Sequence, residues 1–195
     1  VANAWRLDHP ATYADLASLP EGTKGEIIDG VMYTQPRPRF RHGNAALRLG
    51  AGVLRGFGGD RDGDGPGGWW TLVEPGIELP NSPEVAPDLA GWRRDRFQPP
   101  PPDEPIRTVP DWVCEILSPS NRGYDRRIKF PFYARVGIPW LWVVDLEART
   151  VEIKRLVEHE GAHRWSDEAV FADAEPMRAP PFAALEIPLG DLWIP

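Results

Sequence analysis

The run Trp112-Val113-Cys114-Glu115-Ile116-Leu117 constrains the fold of this chain more than any other. It has the length of one strand and is apolar except for its acid, as expected of a strand buried on both faces. Alternation sets Val113, Glu115 and Leu117 on one face and Trp112, Cys114 and Ile116 on the other. A carboxylate among such neighbours is costly unless it is paired or binds a metal. Glu115 therefore requires a partner. Pro139-Trp140-Leu141-Trp142-Val143-Val144 reads as a second buried strand. There Trp140 and Trp142 are expected on one face, with Leu141 and Val143 on the other. Neither run approaches the ~18 residues of a membrane span.

Around these runs the pattern is α/β. Thr12 is placed to cap a short helix that Pro20 ends. Residues 24–34 read as a hairpin about Asp29-Gly30. Residues 42–57 carry helical spacing through Ala46, Leu49, Val53 and Leu54. Strands are predicted over 69–79, 85–92, 111–117, 139–145 and 150–156, and the prolines of 98–105 make an extended connector. A turn over 118–123 leads into a helical stretch to Val136. Beyond Leu156 the strand signals are weak and prolines frequent. One domain over 1–195 is expected, its core about 10–157, with a mixed sheet flanked by helices.

Charge and cysteine content exclude several classes. The net charge of −7 argues against a protein that grips nucleic acid over a broad surface, and leaves a local basic groove open. Arginines cluster at Arg37, Arg39 and Arg41, at Arg93, Arg94 and Arg96, and at Arg122, Arg126 and Arg127; each cluster alone reads as a solvated loop. The single cysteine, Cys114, excludes an internal disulfide and a cysteine-based zinc site. No signal peptide is apparent, and we expect a cytoplasmic protein without a membrane partner. Asp60-Arg61-Asp62-Gly63-Asp64-Gly65 imitates half of a calcium loop, but Thr71 stands where the closing glutamate belongs. It reads as a solvated connector.

Three residues carry the chemistry. Asp88 follows Pro87 at the start of a strand, Glu115 lies inside one, and Lys129 lies in the helical stretch after it. Two carboxylates converging from neighbouring strands make a magnesium or manganese site. An ammonium beside them stabilises charge building on a phosphate or aids deprotonation of a water.

The segments Val85-Ala86-Pro87-Asp88-Leu89, Pro110-Asp111-Trp112-Val113-Cys114-Glu115-Ile116-Leu117-Ser118-Pro119-Ser120, Tyr124-Asp125-Arg126-Arg127-Ile128-Lys129, Tyr133-Ala134 and Gly137-Ile138-Pro139 together resemble the Uma-type family of endonucleases. That family belongs to the PD-(D/E)XK, or restriction-endonuclease-like, superfamily. Gly25-Glu26-Ile27-Ile28-Asp29-Gly30 and the Arg41-His42 helix start are similar to it as well. The resemblance covers roughly residues 10 to 157. It implies a four-stranded mixed sheet core with helices on both sides, and Asp88 and Glu115 as metal ligands. The superfamily's lysine usually follows the second acid by two residues. Leu117 stands there, and Lys129 matches the lysine that takes the role in the Uma-type pattern. Glu26 matches a further acid, which adds a ligand or holds a metal-bound water.

Each residue has an ordinary alternative. A buried arginine would neutralise Glu115, and Glu26 would support the Asp29-Gly30 turn. His42 would be a helix-start residue touching the sheet, its alternative a catalytic one. Tyr124 and Asp125 would set the turn and the helix cap. Ser118 has no indicated histidine partner, so a nucleophile reading is rejected. Pro131 implies a helix that starts near Lys129 or kinks at the proline. The expectation is a Mg2+- or Mn2+-dependent phosphodiesterase acting on DNA, with a homodimer left open. Its alternative is an inactive nuclease-fold module for dimerisation or nucleic-acid binding. A small-molecule domain built on the tryptophans has no motif behind it.

Overall fold

A computed structural model describes residues 2–5, 7–58 and 68–194. Asp60, Asp62 and Asp64 of the acidic connector lie outside the described residues. Two sheets form the frame. The first has the strand order β1-β3-β2-β6-β5, with β1 at Asn3–Trp5, β2 at Lys24–Ile28, β3 at Val31–Gln35, β5 at Ile77–Leu79 and β6 at Ser82–Val85. The second runs β11-β10-β9-β8-β7-β4, with β4 at Trp69–Val73, β7 at Leu89–Arg93, β8 at Trp112–Leu117, β9 at Trp140–Asp145, β10 at Thr150–His159 and β11 at Ala162–Ala172. Within it β8 and β9 pair in parallel, whereas β7 and β8 pair antiparallel, so the sheet is mixed as expected.

The hairpin β2-β3 turns at Asp29 and Gly30, whose φ values of 53° and 73° match the left-handed pair of a tight hairpin turn. The strands predicted over 69–79 and 85–92 are each broken in two, and the halves belong to different sheets. Pro75 and Pro87 stand at the breaks. Neither donates a ladder hydrogen bond, so the chain leaves one sheet there and enters the other.

After the short helix α1, Tyr13–Ala17, helix α2, Phe40–Phe57, begins two residues before its predicted start and buries Ala45, Ala46, Leu49 and Val53 against one face of the second sheet. The opposite face is covered by the first sheet and by the crossover between β8 and β9. That crossover is a short helix α3, Arg122–Tyr124, then a π-helical turn over Asp125–Lys129, then α4, Phe130–Val136. Pro131 falls in the first turn of α4, directly after the wider π turn. Gly137, at φ 87°, ends the helix in the left-handed conformation.

The predicted alternation holds on both central strands. Trp112, Cys114, Ile116, Trp142 and Val144 face α2, while Val113, Leu117, Leu141 and Val143 face the crossover. The boundary of the core differs from the expected one. Hairpin β10-β11 carries the sheet to Ala172, and Met177, Phe182, Ile187, Leu189 and Leu192 are buried on the α2 face. Phe182 lies 5.0 Å from the Trp112 ring and 5.6 Å from that of Trp142, centroid to centroid. The tail was opaque in sequence because it packs as isolated anchors rather than as a periodic element. No helix among the described residues is long and apolar enough to cross a membrane.

Candidate metal and phosphate site

The two sheets separate at Ala86-Pro87-Asp88, and a cleft of about 650 Å³ opens beside that junction. Glu26, Asp88, Glu115 and Lys129, each predicted as a site residue, all line it, together with His42 and Asp125. Leu89 pairs with Cys114, so extending the register by one position sets Asp88 opposite Glu115. The two acids thus share a cleft rather than opposite faces of the sheet.

Lys129 is 2 % exposed, and its Nζ lies 2.7 Å from Glu115 Oε1 and 3.4 Å from Glu26 Oε1. It also donates to the Ala86 carbonyl at 3.3 Å. The Tyr133 hydroxyl donates to Glu115 Oε1 at 2.6 Å. The buried cation that compensates Glu115 is therefore a lysine, not the arginine of the ordinary reading. Glu26 does more than brace a turn. Its Oε2 accepts the Ala86 amide at 3.1 Å, and its Oε1 accepts from Gln35 at 2.6 Å. Asp88 Oδ2 accepts the Ile116 amide at 2.7 Å and pairs with His42 Nε2 at 3.1 Å. His42 thus belongs to the cleft.

Burial pushes the Glu115 carboxyl well up, with Lys129 opposing and the nearby acids reinforcing it. Burial works against the Lys129 charge, but Glu115 and Glu26 outweigh it and hold the lysine protonated. Burial disfavours the Asp88 carboxylate, yet the hydrogen bond and charge of His42 carry its pKa below the ordinary value. His42 is shifted up in turn, the carboxylate of Asp88 overcoming the cost of burial.

Three further residues complete the cleft. Tyr133 enters the sequence reading within the family resemblance; four residues from Lys129, it shares Glu115 Oε1 with it. For His42 the sequence offers a helix start touching the sheet, with a catalytic role as the alternative, and the structure sets it in the cleft on Asp88. Asp125 was assigned to a cap, but it opens the π turn, is 4 % exposed and lines the cleft. Burial pushes its pKa up to about 7, with Lys129 opposing.

Hard oxygen donors suit magnesium or manganese, which are commonly held by one or two carboxylates with water completing the shell. Asp88 Oδ1 and Glu115 Oε2 accept no hydrogen bond among the described residues and are the oxygens available for this. No group of three or more His, Cys, Asp or Glu side chains among the described residues is arranged to hold a metal. Asp88 and Glu115, with water completing the shell, would be the donors for such a cation.

Residues 10–190 match the model of the Uma2 family, described as "Putative restriction endonuclease". The fold matches a crystal structure from Anabaena variabilis ATCC 29413 described as a "putative nuclease belonging to DUF820". The TM-score is 0.67 and the identity 21 %, over 94 % of this chain and 98 % of that one. No curated protein matches the chain.

Proposed function

The chain belongs to the Uma2 family, and from that premise we propose that it is a divalent-metal-dependent nuclease that hydrolyses phosphodiester bonds in DNA. The observation that carries this reading is the meeting in one cleft of Asp88 from the β6–β7 link, Glu115 from β8 and Lys129 from the π turn, with Lys129 directly on Glu115. Asp88 and Glu115 would hold Mg2+ or Mn2+ through their unengaged oxygens. A metal so held polarises a phosphate and lowers the pKa of a water bound to it.

The residues of the chain divide the remaining work. Lys129, kept protonated by Glu115 and Glu26, supplies fixed positive charge against a phosphate gaining negative charge. Glu26 anchors Lys129 and the Ala86 amide, so the ammonium and the Asp88 junction stay in register. Tyr133 fixes the Glu115 carboxyl orientation through Oε1. His42 and the Ile116 amide do the same for Asp88 through Oδ2.

The test is cleavage of supercoiled, linear and single-stranded DNA, and of RNA, with Mg2+, Mn2+ or chelator. Metal-dependent cleavage of DNA is expected, lost in Asp88→Asn and Glu115→Gln. No cleavage of any substrate, or cleavage that survives both substitutions, rejects the reading in favour of a non-catalytic module.

A further inference from the structure

The arginine clusters differ in what surrounds them. Arg93 pairs with Asp95 and Arg96 with Asp111; Arg122 pairs with Asp145 and Arg126 with Glu152. Arg127 is tied only to the Gly123 carbonyl at 3.1 Å, and Arg37, Arg39 and Arg41 form the one cluster in which no member has an acidic partner among the described residues, Arg37 resting on the Gly22 carbonyl at 3.2 Å. All three line the cleft that holds the acids. Between Arg39 and Arg41 stands Phe40, 82 % exposed and also at the cleft. Pro36 and Pro38 fix φ in the lead-in, so the segment loses little freedom when a ligand docks.

We propose that Phe40, with Arg39 and Arg41 beside it, is a stacking platform for an unpaired nucleobase, so that the cleft takes a single-stranded segment of nucleic acid. The proposal rests on the nuclease reading and narrows its substrate. An exposed ring between unpaired cations at the mouth of an acid-lined cleft, in a chain of net charge −7, marks a local site for a polyanion with flat faces. The bases of a duplex are stacked on one another and hide those faces, whereas an unpaired base offers one to Phe40. Depth points the same way. Glu115 and Lys129 are each 2 % exposed, so a phosphate must enter the cleft to reach them. A flexible single strand bends into such a recess more readily than a stiff duplex.

Phe40 also begins a row on α2 with Leu47 and Leu54, spaced by seven and likewise exposed, at 68 % and 54 %. Such a row is the pattern of a helix that meets a second helix. The experiment must separate the two roles of the ring.

The full chain is titrated in chelator with fluorescent oligothymidine and with a blunt duplex of equal length, across a salt series. Tighter binding of the single strand is expected. Phe40→Ala should weaken that binding by about 5- to 100-fold, with duplex binding unchanged, and Phe40→Trp should restore it. Arg39→Gln with Arg41→Gln should lower the slope of log K against log salt by about 1.4. Equal affinity for both probes, no binding of either, or full single-strand binding by Phe40→Ala overturns the platform. A Phe40→Ala chain that binds normally but passes from dimer to monomer in sedimentation overturns it too, and assigns the ring to an interface between copies. Cleavage is scored apart. Metal-dependent cleavage with unaltered binding by Phe40→Ala removes the platform and keeps the nuclease. Phe40-dependent binding without any cleavage does the reverse.

Discussion

Asp88 Oδ2 accepts the amide of Ile116, the residue next to Glu115, at 2.7 Å. The bond ties the entry of one strand to the centre of its neighbour. Asp88→Ala leaves that buried amide without a partner, which costs about 1–3 kcal/mol. Asp88→Asn keeps an acceptor oxygen and should lose far less stability. Urea unfolding in chelator separates the two. Cleavage should fall in both, because both lack the carboxylate.

Lys129 sits among Glu26, Glu115 and Asp125, so removing its charge strands buried carboxylates. Lys129→Met should therefore destabilise the chain by about 3–5 kcal/mol, not merely silence it. Added Mn2+ should recover part of that loss, because a bound cation stabilises the folded chain alone. Thermal melts with chelator and with Mn2+ test this; an unchanged melting temperature in chelator would contradict the burial of the ion pair.

Asp125 gives a pH dependence of definite sign. Burial carries its folded pKa from 3.8 to about 7, so between those values the folded chain keeps a proton that the unfolded chain releases. This group's contribution to stability is largest at or below pH 4 and declines as pH rises toward 7. Asp125→Asn, which mimics the protonated form, should raise the melting temperature more at pH 8 than at pH 5 in metal-free buffer. Equal shifts at both pH values would place the carboxyl in solvent.

Phe182 meets the rings of Phe57, Trp69, Trp112 and Trp142 within 4.8 to 5.6 Å. Phe182→Ala should cost about 3–5 kcal/mol. Its near-ultraviolet circular dichroism should weaken, since three tryptophans lose a neighbour. A wild-type unfolding midpoint would mean that the tail is dispensable.

The elements readable from sequence are those decided locally. The Asp29-Gly30 hairpin follows from two residues that tolerate positive φ, and the two faces of β8 from strict alternation. The acid in that strand announced a compensating cation. What escaped was decided at a distance. The splitting of the predicted strands at Pro75 and Pro87 depends on a second sheet being there to receive the halves. His42 became part of the cleft only through Asp88, 46 residues away. Phe182 has no periodic neighbours, and its burial follows from a ring of aromatics supplied by four other elements.

Lys129 joins Glu26 across 103 positions of chain. A chain still emerging from the ribosome has Glu26 exposed long before Lys129 arrives, and the α2 face of β8 stays open until Phe182 follows. The cleft is therefore a late product of synthesis. A truncated or partly folded copy carries the acids without the lysine that organises them, so the cleft takes its geometry only when both halves of the chain have met.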